Sequence, residues 1–127
     1  MSRKVFAWVG LLLLSITGCA AVVATAAVGA GILYISGEAS KNYVGSVDDT
    51  HAATVKAMTT DMGLAVLKET RDGDGWYLMS RRPGDAETVE VRIAPNGENL
   101  TQVKVRVGVL GDKDYSTKLL EAINKYL

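Results

Sequence analysis

Thr88-Val89-Glu90-Val91-Arg92-Ile93-Ala94-Pro95-Asn96-Gly97-Glu98-Asn99-Leu100-Thr101-Gln102-Val103-Lys104-Val105-Arg106-Val107 is the stretch that decides the fold. Val89, Val91 and Ile93 alternate with Thr88, Glu90 and Arg92, and Val103, Val105 and Val107 alternate with Gln102, Lys104 and Arg106. Successive strand side chains point to opposite faces, so each half has one face to bury and one to wet. Pro95-Asn96-Gly97 supplies the hairpin turn between them. Pairing the two halves sets Glu90 opposite Lys104 or Arg106, a cross-strand charge pair.

Working outward, residues 76–82 and 64–70 read as two further strands. They are separated by Asp72-Gly73-Asp74-Gly75 and closed by Pro83-Gly84-Asp85. Upstream, Ser46 with Asp49 three positions on opens a helix over residues 47–62. Val47, His51, Val55, Met58 and Met62 form its apolar stripe, and Gly63 is its stop. Residues 37–44 read as a first strand. Downstream, Gly108-Val109-Leu110-Gly111-Asp112 breaks the sheet and caps a final helix over residues 113–126. Tyr115, Leu119, Ile123 and Tyr126 line its apolar face, widened by Leu120, Ala122 and Leu127. The order predicts an α+β two-layer sandwich preceded by a signal or anchor helix. Its antiparallel sheet has about five strands, packed by two amphipathic helices.

The chain has 127 residues, enough for one domain, with 14 basic and 14 acidic residues. Without Arg3 and Lys4, 12 basic residues face 14 acidic ones, leaving no basic excess for nucleic acid to recognise. Cys19 is the sole cysteine, so no intramolecular disulfide can form.

From Val5 to Ile35 no residue is charged. Arg3 and Lys4, the apolar run from Val5 to Leu14, and then Ser15, Thr17 and Gly18 have the three-part layout of an export signal. Ile16-Thr17-Gly18-Cys19 resembles the lipobox of bacterial lipoproteins. The Cys19 sulfur is the nucleophile that accepts a diacylglyceryl group, and a small Gly18 admits the peptidase that cuts between Gly18 and Cys19. Several acyl chains on one residue hold a protein on a bilayer durably. Ala20, where an aspartate would signal inner-membrane retention, implies the outer membrane, facing the periplasm. The expected organisation is therefore a signal peptide over 1–18, a lipidated Cys19 with an apolar tether over 19–36, and an α+β domain over 37–127.

Within residues 20–35, small residues recur four apart: Thr25 with Gly29, Ala26 with Ala30 and Ala27 with Gly31. That spacing lets helices approach closely, so self-association is an expectation beside the tether. An uncleaved single-pass anchor is a third possibility for the same residues.

The lipobox, the Gly/Ala-rich segment, the Gly37-Glu38 strand before a helix, and Arg106-Val107-Gly108-Val109-Leu110-Gly111-Asp112 before a terminal helix occur together. In this the chain resembles a family of small bacterial lipoproteins known only as a domain of unknown function (3568). The resemblance implies a location and an architecture, and no activity.

Chemistry-bearing residues are few. His51 is the one histidine, and its place on an apolar stripe points to packing rather than to a catalytic triad. A zinc site would need three or four His or Cys ligands. Asp72 and Asp74 fail as a calcium loop, because Trp76 and Pro83 stand where ligands belong. Trp76 and Tyr77 face opposite sides of a strand, and whichever is exposed beside Arg81 or Arg82 is a contact point.

The sequence thus leads to a non-catalytic interaction module needing no cofactor or metal. Its partners are the membrane through Cys19 and an envelope protein or a second copy, with no nucleic acid. A ligand-binding or hydrolytic domain with a pocket between sheet and helices is the alternative.

Overall fold

A computed structural model describes residues 31–127; Gly18, Cys19 and the rest of the chain before Gly31 lie outside the described residues. The elements are β1 (Leu33–Ile35), β2 (Glu38–Val44), α1 (Val47–Lys56) running into a π-helical turn (Ala57–Asp61), β3 (Lys68–Asp72), β4 (Gly75–Arg81), β5 (Thr88–Pro95), β6 (Leu100–Val107) and α2 (Lys113–Asn124). The strands form one six-stranded antiparallel sheet in the order β1-β2-β6-β5-β4-β3.

The β5–β6 hairpin sits at the middle of the sheet. Its register pairs Val89 with Val107, Val91 with Val105 and Ile93 with Val103, so the two valine-rich faces coincide. All six side chains are buried. The ladder continues sideways through Leu78 opposite Val91 and Ala39 opposite Val105. Glu90 lies opposite Arg106, one of the two expected partners.

Both helices lie on this apolar face: α1 on β5 and β6, α2 on β2 and β6. The α+β sandwich holds, with six strands instead of five. The additional strand is β1, within the residues read as tether. It joins β2 through Ser36 and Gly37, whose φ values of 52° and 83° are the positive pair that a two-residue type I′ hairpin turn requires. Tyr34 pairs with Ala39 and turns inward, whereas Leu33 and Ile35 face out and stay exposed. An outward apolar pair hides the alternation by which a strand is recognised.

Two other boundaries differ from the expected ones. Residues 64–66 stay outside the ladder, with Leu64 in the core; the Leu67 amide donates to the Met79 carbonyl at 2.9 Å, and β3 then runs on to Asp72. α1 widens over Ala57–Asp61, where the Met62 amide reaches the Ala57 carbonyl five residues back.

The fully buried face of α1 and its π-helical turn coincides with the predicted stripe only at Met58, and Val47, Val55 and Met62 pack at its margin. Thr50, Ala53, Thr54, Ala57 and Met58 are buried, while Val47, His51, Val55 and Met62 flank them half-buried. Small side chains let the helix lie close to the sheet. The Thr50 and Thr54 hydroxyls donate to the carbonyls of Ser46 and Thr50 at 2.8 and 2.7 Å, so neither enters the core unpaired. In α2, Leu119, Leu120, Ala122 and Ile123 are buried, and the Tyr43 hydroxyl donates to the Leu120 carbonyl at 2.5 Å, tying helix to sheet. α2 ends at Asn124, a residue pair earlier than expected. Among the described residues no helix is long and apolar enough to cross a membrane.

Candidate functional site

Three clusters and one open surface hold the polar chemistry of the domain. The first surrounds His51. Ser46 caps α1 by accepting from the Asp49 amide at 3.1 Å, and the helix then carries His51 over the β3–β4 edge of the sheet. Its ring stacks on Trp76 with centroids 4.0 Å apart and planes 4° from parallel. Arg71, opposite Trp76 in the ladder, places its guanidinium 4.9 Å from the indole centroid.

Glu69 Oε1 comes within 2.6 Å of His51 Nε2, yet the nitrogen has no hydrogen-bond partner, so the oxygen lies close to it but out of line with the N–H. Among the described residues no His, Cys, Asp or Glu cluster could hold a metal ion. The expected packing role for His51 matches this environment, with Trp76 as the partner.

The second cluster joins the β4–β5 turn to the start of α2. Arg82 donates to Asp85 through Nε and Nη2 at 3.1 and 2.5 Å, and to Asp112 through Nη1 at 2.7 Å. Asp112 is the N-cap of α2 and also accepts from the Tyr115 amide at 3.1 Å. The guanidinium beside them holds the Asp112 carboxyl below the usual range and lowers Asp85 to about 2. Arg82 also lies 5.0 Å from the Tyr115 ring centroid. The expected aromatic contact of Arg82 is therefore Tyr115, not a β4 aromatic.

The third cluster lies where α1 meets the chain's end. Asp61 accepts from Lys125 Nζ at 2.7 Å and from the Tyr126 hydroxyl, and Lys56 stands 4.9 Å from the Tyr126 ring centroid. Beside it opens a surface groove of about 700 Å³, bordered by Val44, Asp49, Ala52, Lys56 and Leu127. Its walls come from the end of β2, from α1 and from the residues that follow α2, so it lies where the sheet end meets the helices.

The open surface is the sheet face that the helices do not cover. One row across it reads Ile35, Glu38, Arg106, Glu90, Met79 and Lys68, and the next Leu33, Ser40, Lys104, Arg92, Tyr77 and Thr70. Charges alternate in sign from Glu38 through Arg106 to Glu90 in the first row, whereas the second sets the cations Lys104 and Arg92 side by side. Tyr77 is the aromatic on this face, flanked by Arg92 and Lys68 at 5.0 and 5.7 Å from its centroid, rather than by Arg81 or Arg82. Burial, and then the nearby Glu90 charge, pushes its phenol above the usual value. Register alone sets Arg92 opposite Tyr77, so an alignment of the β4 and β5 alternations finds that pair in the sequence.

Sequence reasoning also missed the packing of Gly111 on the β1–β2 turn. A Cβ on Gly111 would sit 2.5 Å from both Gly37 Cα and the Tyr34 hydroxyl. The signal was there in Gly37 and Gly111, but only the fold brings the two together.

This is a small one-sided α+β sandwich: helices and core on one face of the sheet, a mixed-charge ladder on the other. The chain belongs to the family described as Protein of unknown function (DUF3568), whose match spans residues 4–126 and so takes in the N-terminal segment with the domain. A search of the curated proteins finds no match.

Proposed function

We propose that this chain is an envelope lipoprotein, cleaved behind Gly18 and anchored by lipid on Cys19, that presents a non-catalytic interaction domain on the periplasmic side of the outer membrane. The observation that carries the reading is Ile16-Thr17-Gly18-Cys19, placed behind Arg3, Lys4 and the apolar run from Val5 to Leu14. The bare sheet face supports the interaction role. It presents Tyr77 between two cations and a row of alternating charge, the composition of a polar protein-binding surface. The partner this chemistry fits is another envelope protein with a mixed-charge face.

Cys19→Ser abolishes labelling by radioactive fatty acid and leaves the precursor unprocessed. An intact, unlipidated Met1–Leu127 chain in the mass spectrum of the wild-type protein would replace this reading with a single-pass anchor. For the interaction role, a photocrosslinking residue at Gln102 on the bare face captures a specific envelope protein in intact cells. Recovery of a free monomer alone argues against a partner on that face.

A further inference from the structure

Leu33 and Ile35 are 62% and 66% exposed, and Val109 and Leu110 are 89% and 90% exposed. These four side chains come from distant parts of the chain and gather at one corner. Arg106 binds the two parts together, donating to the Ser36 carbonyl at 3.0 Å and to the Val109 carbonyl at 3.3 Å. Gly37 packs against the Leu110 carbonyl, which a Cβ there would approach to 2.8 Å. Ile35, Glu38 and Arg106 stand in one row on the open side of the sheet, so the β1 side chains and the Val109 backbone share that side.

We propose that this corner docks into the lipid bilayer, with Val109 and Leu110 inserting at a protruding tip and Leu33 and Ile35 lying beside them. The inference rests on the lipid anchor proposed above. What selects the bilayer is where the chain enters the domain. β1 opens at Leu33, 14 residues after Cys19, and no charged residue lies between Cys19 and Ile35. The short uncharged link from the acylated residue delivers β1 to the membrane surface first. A tip whose two apolar side chains are almost wholly exposed is shaped to enter a soft apolar phase. A second protein would need a broader complementary face. Arg106 is held by backbone carbonyls beneath the tip, where a cation meets the headgroup layer.

The test uses the full lipidated chain in vesicles of phosphatidylethanolamine and phosphatidylglycerol. Because the lipid occupies Cys19, a cysteine introduced as Ile35→Cys, Val109→Cys or Leu110→Cys is the one free thiol and takes a nitroxide label. Asp74→Cys, in the β3–β4 turn at the opposite sheet edge, is the reference. Labels at 35, 109 and 110 collide severalfold more with oxygen than with a water-soluble nickel complex, and the label at 74 shows the reverse. Val109→Ser with Leu110→Ser raises nickel access at position 35 while leaving the circular dichroism unchanged.

If mass spectrometry confirms lipid on Cys19 and every label stays aqueous, docking is refuted and the anchor stands. Labels shielded from both reagents and broadened by a neighbouring nitroxide would mean that a second copy covers the corner. An unlipidated Cys19 removes the anchor and this inference together.

Discussion

Gly111→Ala is the substitution that most directly tests how the domain holds together, with Gly63→Ala as its internal control. Both glycines have left-handed backbone, φ +83° and +65°, so alanine pays a conformational penalty of about 1 kcal/mol at either site. Nothing lies within 4 Å of a Cβ built on Gly63, and the cost there ends with that penalty. At Gly111 the Cβ would be 2.5 Å from Gly37 Cα and the Tyr34 hydroxyl. Backbone cannot swing aside as a flexible side chain can, so the Ser36–Gly37 turn must shift, an overpacking cost of about 1–3 kcal/mol. The shift also endangers the Arg106 hydrogen bonds to Ser36 and Val109, worth about 1 kcal/mol net.

Gly111→Ala therefore loses roughly 2–5 kcal/mol, a large share of the about 5–15 kcal/mol available to a domain of this size. Urea unfolding followed by circular dichroism measures both variants. With a slope of about 2 kcal/mol per molar, the midpoint falls by about 0.5 M for Gly63→Ala and by about 1–2.5 M for Gly111→Ala. Equal losses in the two variants would show that the Gly37–Gly111 contact does not constrain the fold.

The Arg82 cluster predicts an acid limb. Asp85 and Asp112 are held below their unfolded values near 4, so their stabilisation is present above about pH 4 and is lost as pH falls, for Asp85 toward about 2. Melting temperature against pH declines over that window in the wild type. In Arg82→Gln it is lower at neutral pH and flatter in acid, and parallel profiles would refute the assignment. At the other extreme, burial raises the Tyr43 phenol above its ordinary value, so stability falls as pH rises past about 10, where the unfolded chain begins to ionise. Tyr43→Phe costs about 1 kcal/mol at neutral pH, because Leu120 keeps its helical partner, and removes the Tyr43 share of the alkaline decline. Denaturant midpoints at neutral pH and above pH 10 check both parts.

The parts of the fold legible in the sequence are those where one periodicity governs a long run. The β5–β6 hairpin shows its register in the valine alternation, and α2 shows its face in Leu119, Leu120 and Ile123. β1 was hidden because Leu33 and Ile35 are apolar yet face out, continuing the uncharged run before them. α1 was placed correctly, but the centre of its buried face was missed, since Thr50 and Thr54 are polar by letter yet close their hydroxyls on helix carbonyls. Contacts joining distant segments were beyond local pattern: Arg82 meets Asp112 30 residues on, and Arg106 meets Ser36 70 residues back. Of the candidate sites, the sequence names Gly18 and Cys19, which lie outside the described residues, and the Glu90–Arg106 pair, which the ladder forms.

The loop from Gly108 to Asp112 has three jobs in one short stretch. Asp112 caps α2 and is held by Arg82, Gly111 locks the β1–β2 turn, and Gly108 at φ +66° turns the chain off β6. Each job uses a glycine, a cap or a backbone carbonyl, and none uses the side chains of Val109 and Leu110. The fold therefore leaves those two positions free, and serine at either would suit a turn better than an exposed aliphatic. Their apolar character is what the bilayer docking proposed above would use. Replacing both with serine should leave stability within about 0.5 kcal/mol, as for other surface positions. A change confined to membrane contact, with unfolding midpoints unmoved, separates what the loop does for the fold from what its tip does beyond it.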